Sequence, residues 1–214
     1  MPRKRSDDKR GRILKAAVKI FAEKGYFQAK VAEIARAAGV ADGTIYLYFR
    51  NKEDILVSLF DQVMAEHIQQ GRHELAAIEG TAERLRAIAE HHLRLLGENQ
   101  DLAVVFQVEL RQSTKFMERF TASWLQDYLN LLARTIEEGQ ADGTLRSDLP
   151  LKVAVKAFFG ALDEMVTSWI LGKKDYDLAR LAEPVVDLFL RGAAISPADV
   201  PGRPVLAATL SGGE

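Results

Sequence analysis

The stretch that most constrains this chain is residues 31–52, VAEIARAAGVADGTIYLYFRNK. Val31–Ala38 places Ile34, Ala35 and Ala38 on one face of a short helix. Gly39 interrupts the periodicity, and residues 42–49 read as a second helix with Asp42 as a cap or first-turn acid. Two short helices joined by a tight glycine-containing turn form a unit that fits a major groove. At roughly 100° per residue, Ile45 and Phe49 share one face of the second helix with the edge of Tyr48. Gly43, Thr44, Tyr46 and Leu47 point the other way. A glycine lets the backbone come close to a duplex, hydroxyls donate to phosphates, and Lys52 adds a cation at the next helix start. The candidate DNA contacts are Lys30, Val31, Asp42, Gly43, Thr44, Tyr46, Leu47, Tyr48 and Lys52. A bland alternative is a helical hairpin with a solvated outer face. Tyr46 and Leu47 argue against it, because they make a poor solvent face.

Charge supports a polyanion partner for this end of the chain. The net charge of -1 conceals an asymmetry. Residues 1–50 carry 12 Lys and Arg against 5 Asp and Glu, whereas residues 51–214 carry 17 against 25. Double-stranded DNA is therefore the expected partner of the head alone.

Around that unit the periodicity is helical throughout. Ile13, Ala16, Ala17, Ile20 and Phe21 form the stripe of a first helix over about residues 9–24, closed by Gly25, with residues 1–8 expected to be mobile. Asn51 caps a long helix over residues 52–77, the natural lever between head and body. Further helices are expected over residues 81–96, 102–111, 113–141, 150–172 and 176–191, with no strand-like alternation of useful length. The expectation is an all-α chain. A three-helix helix-turn-helix head spans residues 1–51, and a larger six-helix ligand-binding and dimerisation body spans residues 52–193. A tail over residues 194–214, with Pro197, Pro201 and Pro204, is expected to be disordered.

Several function classes are disfavoured. The chain has no cysteine, so it carries no disulfide framework and no thiolate chemistry. No run approaches the ~18 apolar residues of a membrane span, and the basic N-terminus has no apolar stretch behind it. A cytoplasmic location without membrane contact is expected. No phosphate-binding glycine loop, HExxH or GxSxG occurs, so neither an enzyme nor a bound metal or cofactor is expected. His91 and His92 point about 100° apart on a helix, cannot chelate in the i, i+4 manner, and are expected at the surface.

The body has two features that suggest partners. First, the last two long helices are apolar over wide arcs and need cover on more than one side. A homodimer would supply it through Phe159, Val166, Ile170, Val185, Leu188 and Phe189. Second, polar residues interrupt the apolar helices. A cavity for a small-molecule effector would be lined by Phe106, Phe120, Trp124, Phe158 and Trp169, with Glu109, Arg111, Gln112 and Asp163 as polar groups. Arg111 is the cation best suited to an anionic ligand. The competing reading is an aromatic pocket for cationic drugs, with Glu109, Asp163 and Glu164 as counter-charges. A helical scaffold that never meets DNA is a more distant alternative.

Gly39, Gly43-Thr44, Tyr46, Phe49 and Lys52, together with ILKAAVKIFAEKGY upstream, resemble the signature of TetR-family transcriptional repressors. The resemblance implies homodimers that pair through their last two helices on pseudo-palindromic operators. This chain departs from the family pattern at Ala29-Lys30, where Ser or Thr is usual, and at Tyr48, where His is usual. Lys30 and the Tyr48 hydroxyl are expected to take over those phosphate contacts. ADGTIYLYFRNKEDIL, VELRQS, GALDEMVTSWIL and YDL are similar to the acyl-CoA-responsive repressors of fatty-acid degradation, a branch of that family. That likeness implies long-chain acyl-CoA as the effector. Its CoA phosphates would be met from among Arg72, Arg84, Arg86, Arg94, Lys115 and Arg119.

Overall fold

The computed structural model describes residues 3–112, 118, 124–172 and 176–194. Among them are nine α-helices and no strand. The head contains α1 (Arg3–Lys24), α2 (Val31–Ala38) and α3 (Asp42–Ile45). The rest contains α4 (Lys52–Leu75), α5 (Thr81–Gly97), α6 (Gln100–Val104), α7 (Trp124–Ala141), α8 (Leu151–Gly172) and α9 (Ala182–Ala194).

Helix α1 begins at Arg3, not near residue 9. The run RKRSDDKR contains no helix breaker, and Arg and Lys are good helix formers. The helix buries Ile13, Leu14, Ala17, Val18, Ile20 and Phe21 and stops at Gly25, whose φ of +77° admits only a residue without a Cβ penalty. Gly39 does the same after α2 at φ +65°, with its N–H bonded back into the last turn. These two left-handed glycines set the angles between α1, α2 and α3.

Helix α3 is shorter than its periodicity suggests. Regular helix ends at Ile45, and the chain continues in tighter turns, with Leu47 N–H donating to Thr44 O (3.2 Å) and Tyr48 N–H to Ile45 O (3.0 Å). The facing is nevertheless that of a helix: Ile45 and Phe49 are buried together. Asn51 then caps α4, accepting from Asp54 N–H at 2.8 Å, while Asp54 accepts from Arg50 N–H at 2.8 Å.

In the body, α5 is the central rod, packed against α4, α6, α7, α8 and α9. Residues 102–111 do not form one regular helix. After α6 the chain makes a π-turn over Val105–Glu109 and a 3-10 turn over Leu110–Gln112. The extra residue of a π-turn rotates the side chains that follow. Here it lets Gln107 and Glu109, two residues apart, both be buried against different partners. Helix α1 packs on α4, on α6 and on this π-turn, so the head rests directly on the body.

Candidate DNA interface and effector cavity

The outer face of the helix-turn-helix is built as the patterning suggests. Tyr46 is 59% and Leu47 80% exposed, although both are large and apolar, and Gly43 and Asp42 are exposed beside them. A Cβ added at Gly43 would meet nothing within 4 Å, so the fold itself does not need a glycine there. Thr44, Val31 and Tyr48 are half-buried. Lys30 is exposed, and its N–H donates to the Glu33 carboxylate at 3.0 Å, which starts α2 without the usual Ser or Thr.

Lys52 behaves differently from expectation. Its ammonium donates to the carbonyl oxygens of Tyr26 (2.7 Å), Phe27 (3.1 Å) and Ala29 (2.9 Å), and lies 4.7 Å from the centre of the Tyr26 ring. An ammonium has three hydrogens, and all three are committed. Lys52 therefore ties the turn between α1 and α2 to the start of α4 rather than reaching outward. Partial burial of the ammonium lowers its pKa.

A cavity of about 100 Å³ lies in the body between α4, α5, the π-turn, α7 and α8. Met64, Leu95, Leu96, Phe106, Leu110, Leu125 and Phe159 supply its apolar wall. Its polar side is a connected network. Gln107 donates to one Asp163 oxygen at 2.7 Å, Arg111 donates to the other at 2.5 Å, and Thr167 donates to the Gln107 side-chain oxygen at 3.2 Å. Gln107 and Arg111 also line a second, more open groove with Val108, Gln112, Thr167, Ile170 and Leu171. The network is thus the partition between cavity and groove.

His67, His92 and Tyr128 also line the cavity. The Tyr128 hydroxyl and His92 Nδ1 are 3.2 Å apart. Burial holds the His92 imidazole down at about 4; Asp163 pulls it up and His91 pushes it further down. Burial, with His91 and His92 adding to it, holds His67 at about 3. Burial first, and then Asp163, raises the Tyr128 phenol. All three groups are therefore neutral near pH 7.

Of the expected effector residues, Phe106, Arg111 and Asp163 line the cavity, and Gln112 lines the outer groove with Arg111. Three do not line it. Phe158 is fully buried against Phe189, with ring centres 4.9 Å apart. Trp169 is buried and its indole N–H donates to Tyr176 O at 3.2 Å. Glu109 faces the head: its carboxylate accepts from Tyr26 N–H at 2.6 Å and lies 3.6 Å from where a Cβ on Gly25 would be. Phe120 and the Trp124 side chain lie outside the described residues. Gln107, His67 and Tyr128 line the cavity without having been expected there, and His92 lines it although expected at the surface. Only Gln107, polar between Phe106 and Val108, carried a local signal. His91 and His92 are buried, contrary to expectation: His91 stacks on His67 at 4.1 Å, with its Nδ1 3.3 Å from Glu74.

The expected dimer residues divide. Val166 is 0% exposed within this single chain, so it has no surface to offer a partner, because the apolar arc of α8 is wide enough to serve the chain's own core. Phe159 lines the cavity. Ile170, Val185 and Phe189 are half-buried, and Leu188 is 75% exposed.

Residues 13–59 match the family model of bacterial regulatory proteins of the tetR family, and residues 60–192 match that of the YsiA-like protein C-terminal region. The fatty acid metabolism regulator protein of Bacillus subtilis is 41% identical over 180 residues, 84% of this chain and 93% of that one. The chain belongs to the TetR family. Two solved regulators share its fold closely. The fatty acid degradation regulator FadR of Bacillus halodurans is 42% identical with a TM-score of 0.81, over 85% of this chain and 98% of that one. FadR from Bacillus subtilis, in a complex with stearoyl-CoA, is 40% identical with a TM-score of 0.81, over 85% and 97%. This TetR-family chain is a helix-turn-helix DNA-binding regulator, and the Bacillus relatives are fatty acid metabolism and degradation regulators.

Proposed function

We propose that this protein is a cytoplasmic, homodimeric repressor of fatty-acid degradation genes that long-chain acyl-CoA releases from its operators. The observation that carries the reading is the likeness, over 85% of this chain and 97% of the other, to a regulator that holds stearoyl-CoA. The chemistry of this body agrees with it. Apolar side chains of α4, α5 and α7 would flank the acyl chain, and the network of Gln107, Asp163 and Arg111 would stand between the chain and the CoA head group. The cavity is small beside the ~300–1,000 Å³ of typical ligand sites, so a long chain enters only by moving the surrounding helices apart. The segment 105–112 turns that movement into a signal. Phe106, Gln107, Leu110 and Arg111 face the cavity, and Glu109 holds the head at Tyr26. The ligand acts through its differential affinity for the two head arrangements.

The dimer would form along α8 and α9. Val153, Ala157, Gly160, Glu164 and Leu171 are exposed and share one side of α8, and Leu188 is exposed on α9. Gly160 at the middle lets a partner helix approach closely. Two heads so paired would sit roughly 34–36 Å apart, or a multiple of one turn, on a pseudo-palindrome. Tyr46, Leu47, Gly43 and Thr44 would meet base edges and phosphates. The cationic-drug reading has less support, because both Asp163 oxygens are engaged and Glu109 faces the head.

Fluorescence anisotropy on DNA from the protein's own promoter tests the proposal, with palmitoyl-CoA added and free CoA and free palmitate as controls. Release by the thioester alone is the expected result. Tight binding that palmitoyl-CoA leaves untouched removes the effector, and no binding to promoter DNA removes the repressor.

A further inference from the structure

Two residues of the cavity lining carry ring nitrogens that no described residue bonds. His92 Nε2 and His67 Nδ1 are buried and have no hydrogen-bond partner among the described residues, and both side chains line the cavity. A buried polar atom left unpaired destabilises the fold, so each asks for a partner. For His92 the tautomer follows from its neighbour. The Tyr128 hydroxyl lies 3.2 Å from His92 Nδ1, and is satisfied when it donates its hydrogen there. A neutral imidazole that accepts at Nδ1 carries its proton on Nε2. His92, a residue of the cavity lining, therefore carries an N–H donor with no acceptor among the described residues.

We propose that His92 Nε2 donates a hydrogen bond to the carbonyl oxygen of a thioester lodged in this cavity. The assignment rests on the acyl-CoA reading and adds to it the group that recognises the reacting end of the ligand. The position suits it. Asp163, close enough to act on the His92 imidazole, belongs to the polar partition, and Met64, Leu95, Leu96 and Leu125 form the apolar wall. A thioester marks the same change of polarity along an acyl-CoA, with its head group toward the outer groove and its chain among the apolar residues. The arrangement also discriminates against the free acid. A thioester carbonyl is a neutral acceptor and needs only a donor. A carboxylate would bring a charge beside Asp163, where the one cation of the described lining, Arg111, is already paired. Burying that charge without a counter-ion is costly.

The test uses two ligands that differ only in the carbonyl: palmitoyl-CoA and S-hexadecyl-CoA, its thioether. Their affinities for the full-length protein are measured by isothermal titration. The wild type is expected to prefer the thioester about tenfold, the size of one net buried hydrogen bond. In His92→Asn the side chain still reaches Tyr128 but lacks the Nε2 donor, and the preference is expected to fall to about one. Equal binding of the two ligands by the wild type, or a preference that survives in His92→Asn, overturns the assignment while the acyl-CoA reading stands. Failure of both ligands to bind removes that reading and the assignment with it. A second measurement needs no variant: in protein labelled with ¹⁵N-histidine, the His92 Nε2 resonance shifts with the thioester and not with the thioether. Identical shifts from both ligands overturn the assignment.

Discussion

Replacing Lys52 by methionine keeps the aliphatic stem and deletes the ammonium. In the structure that ammonium bonds the carbonyl oxygens of Tyr26, Phe27 and Ala29 at 2.7, 3.1 and 2.9 Å, the first and third partly buried and the second exposed. Counting about 1.5 kcal/mol for each partly buried charge-assisted bond, and nothing for the exposed one, gives a loss of about 3 kcal/mol. Methionine has no charge to desolvate, and the burial that lowers the Lys52 pKa shows that such a cost exists. The net loss is then closer to 2 kcal/mol, on the order of one charge-assisted bond. At about 2–4 °C per kcal/mol for a chain of this size, calorimetry should show Tm falling by about 4–8 °C. The same variant distinguishes a tether from a phosphate contact. Each phosphate contact contributes about 0.9 to the slope of log affinity against log salt. With its hydrogens committed inside the head, Lys52 makes no such contribution, so the slope on promoter DNA should match the wild type even if affinity drops. A slope reduced by about 0.9 together with an unchanged Tm would falsify this reasoning.

Three other outcomes are expected. Because the folded protein holds His67 at about 3 and His92 at about 4, against an ordinary 6.5, the unfolded chain takes up protons first as pH falls. Their contribution is complete above about pH 6.5 and is lost below it, by about 2 kcal/mol per histidine at pH 5; denaturant titrations in which His92→Asn loses stability as steeply as wild type between pH 7 and 5 would contradict this. Glu109→Gln keeps an acceptor for Tyr26 N–H but not the charge, so stability should fall by about 1 kcal/mol and the change in operator affinity caused by palmitoyl-CoA should narrow; an undiminished ratio of affinities with and without ligand would rule out Glu109 as a link. Leu188→Glu, at a residue 75% exposed in the chain, should alter chain stability by no more than about 0.5 kcal/mol while sedimentation velocity shows monomers; a persistent dimer would place the interface elsewhere.

How far the sequence could be read depended on how local the information was. Ile34, Ala35 and Ala38, or Ile45 and Phe49, share a face because of the helical repeat, and the structure buries them together. Gly25 and Gly39 announce left-handed ends without reference to any distant residue. Asn51 caps α4 from three residues away. The basic head, the wording of Gly43, Thr44 and Tyr46 in and just after α3, and the all-α class were legible for the same reason.

The cavity was legible only in part. Phe106, Arg111 and Asp163 stood out as polar or aromatic interruptions. Phe158 and Trp169 looked the same in sequence but face the core and Tyr176. Helical spacing states that a residue lies on an apolar arc, but not which neighbour covers that arc. Glu109 and Lys52 show the difference most clearly. Each was a charged residue with a plausible outside ligand, and each is spent inside the protein, on an amide 83 residues away and on carbonyls 23 to 26 residues away. The paired burial of His67 and His92 likewise depends on α4, α5 and α7 meeting. Periodicity, caps and turn residues are written in contiguous sequence, because each is decided by atoms within a turn or two of the chain. Whether a given charge faces solvent, a ligand or a distant backbone atom was decided by the packing of α1 on the π-turn and of α4, α7 and α8 around α5, because only that packing brings those atoms within hydrogen-bonding range.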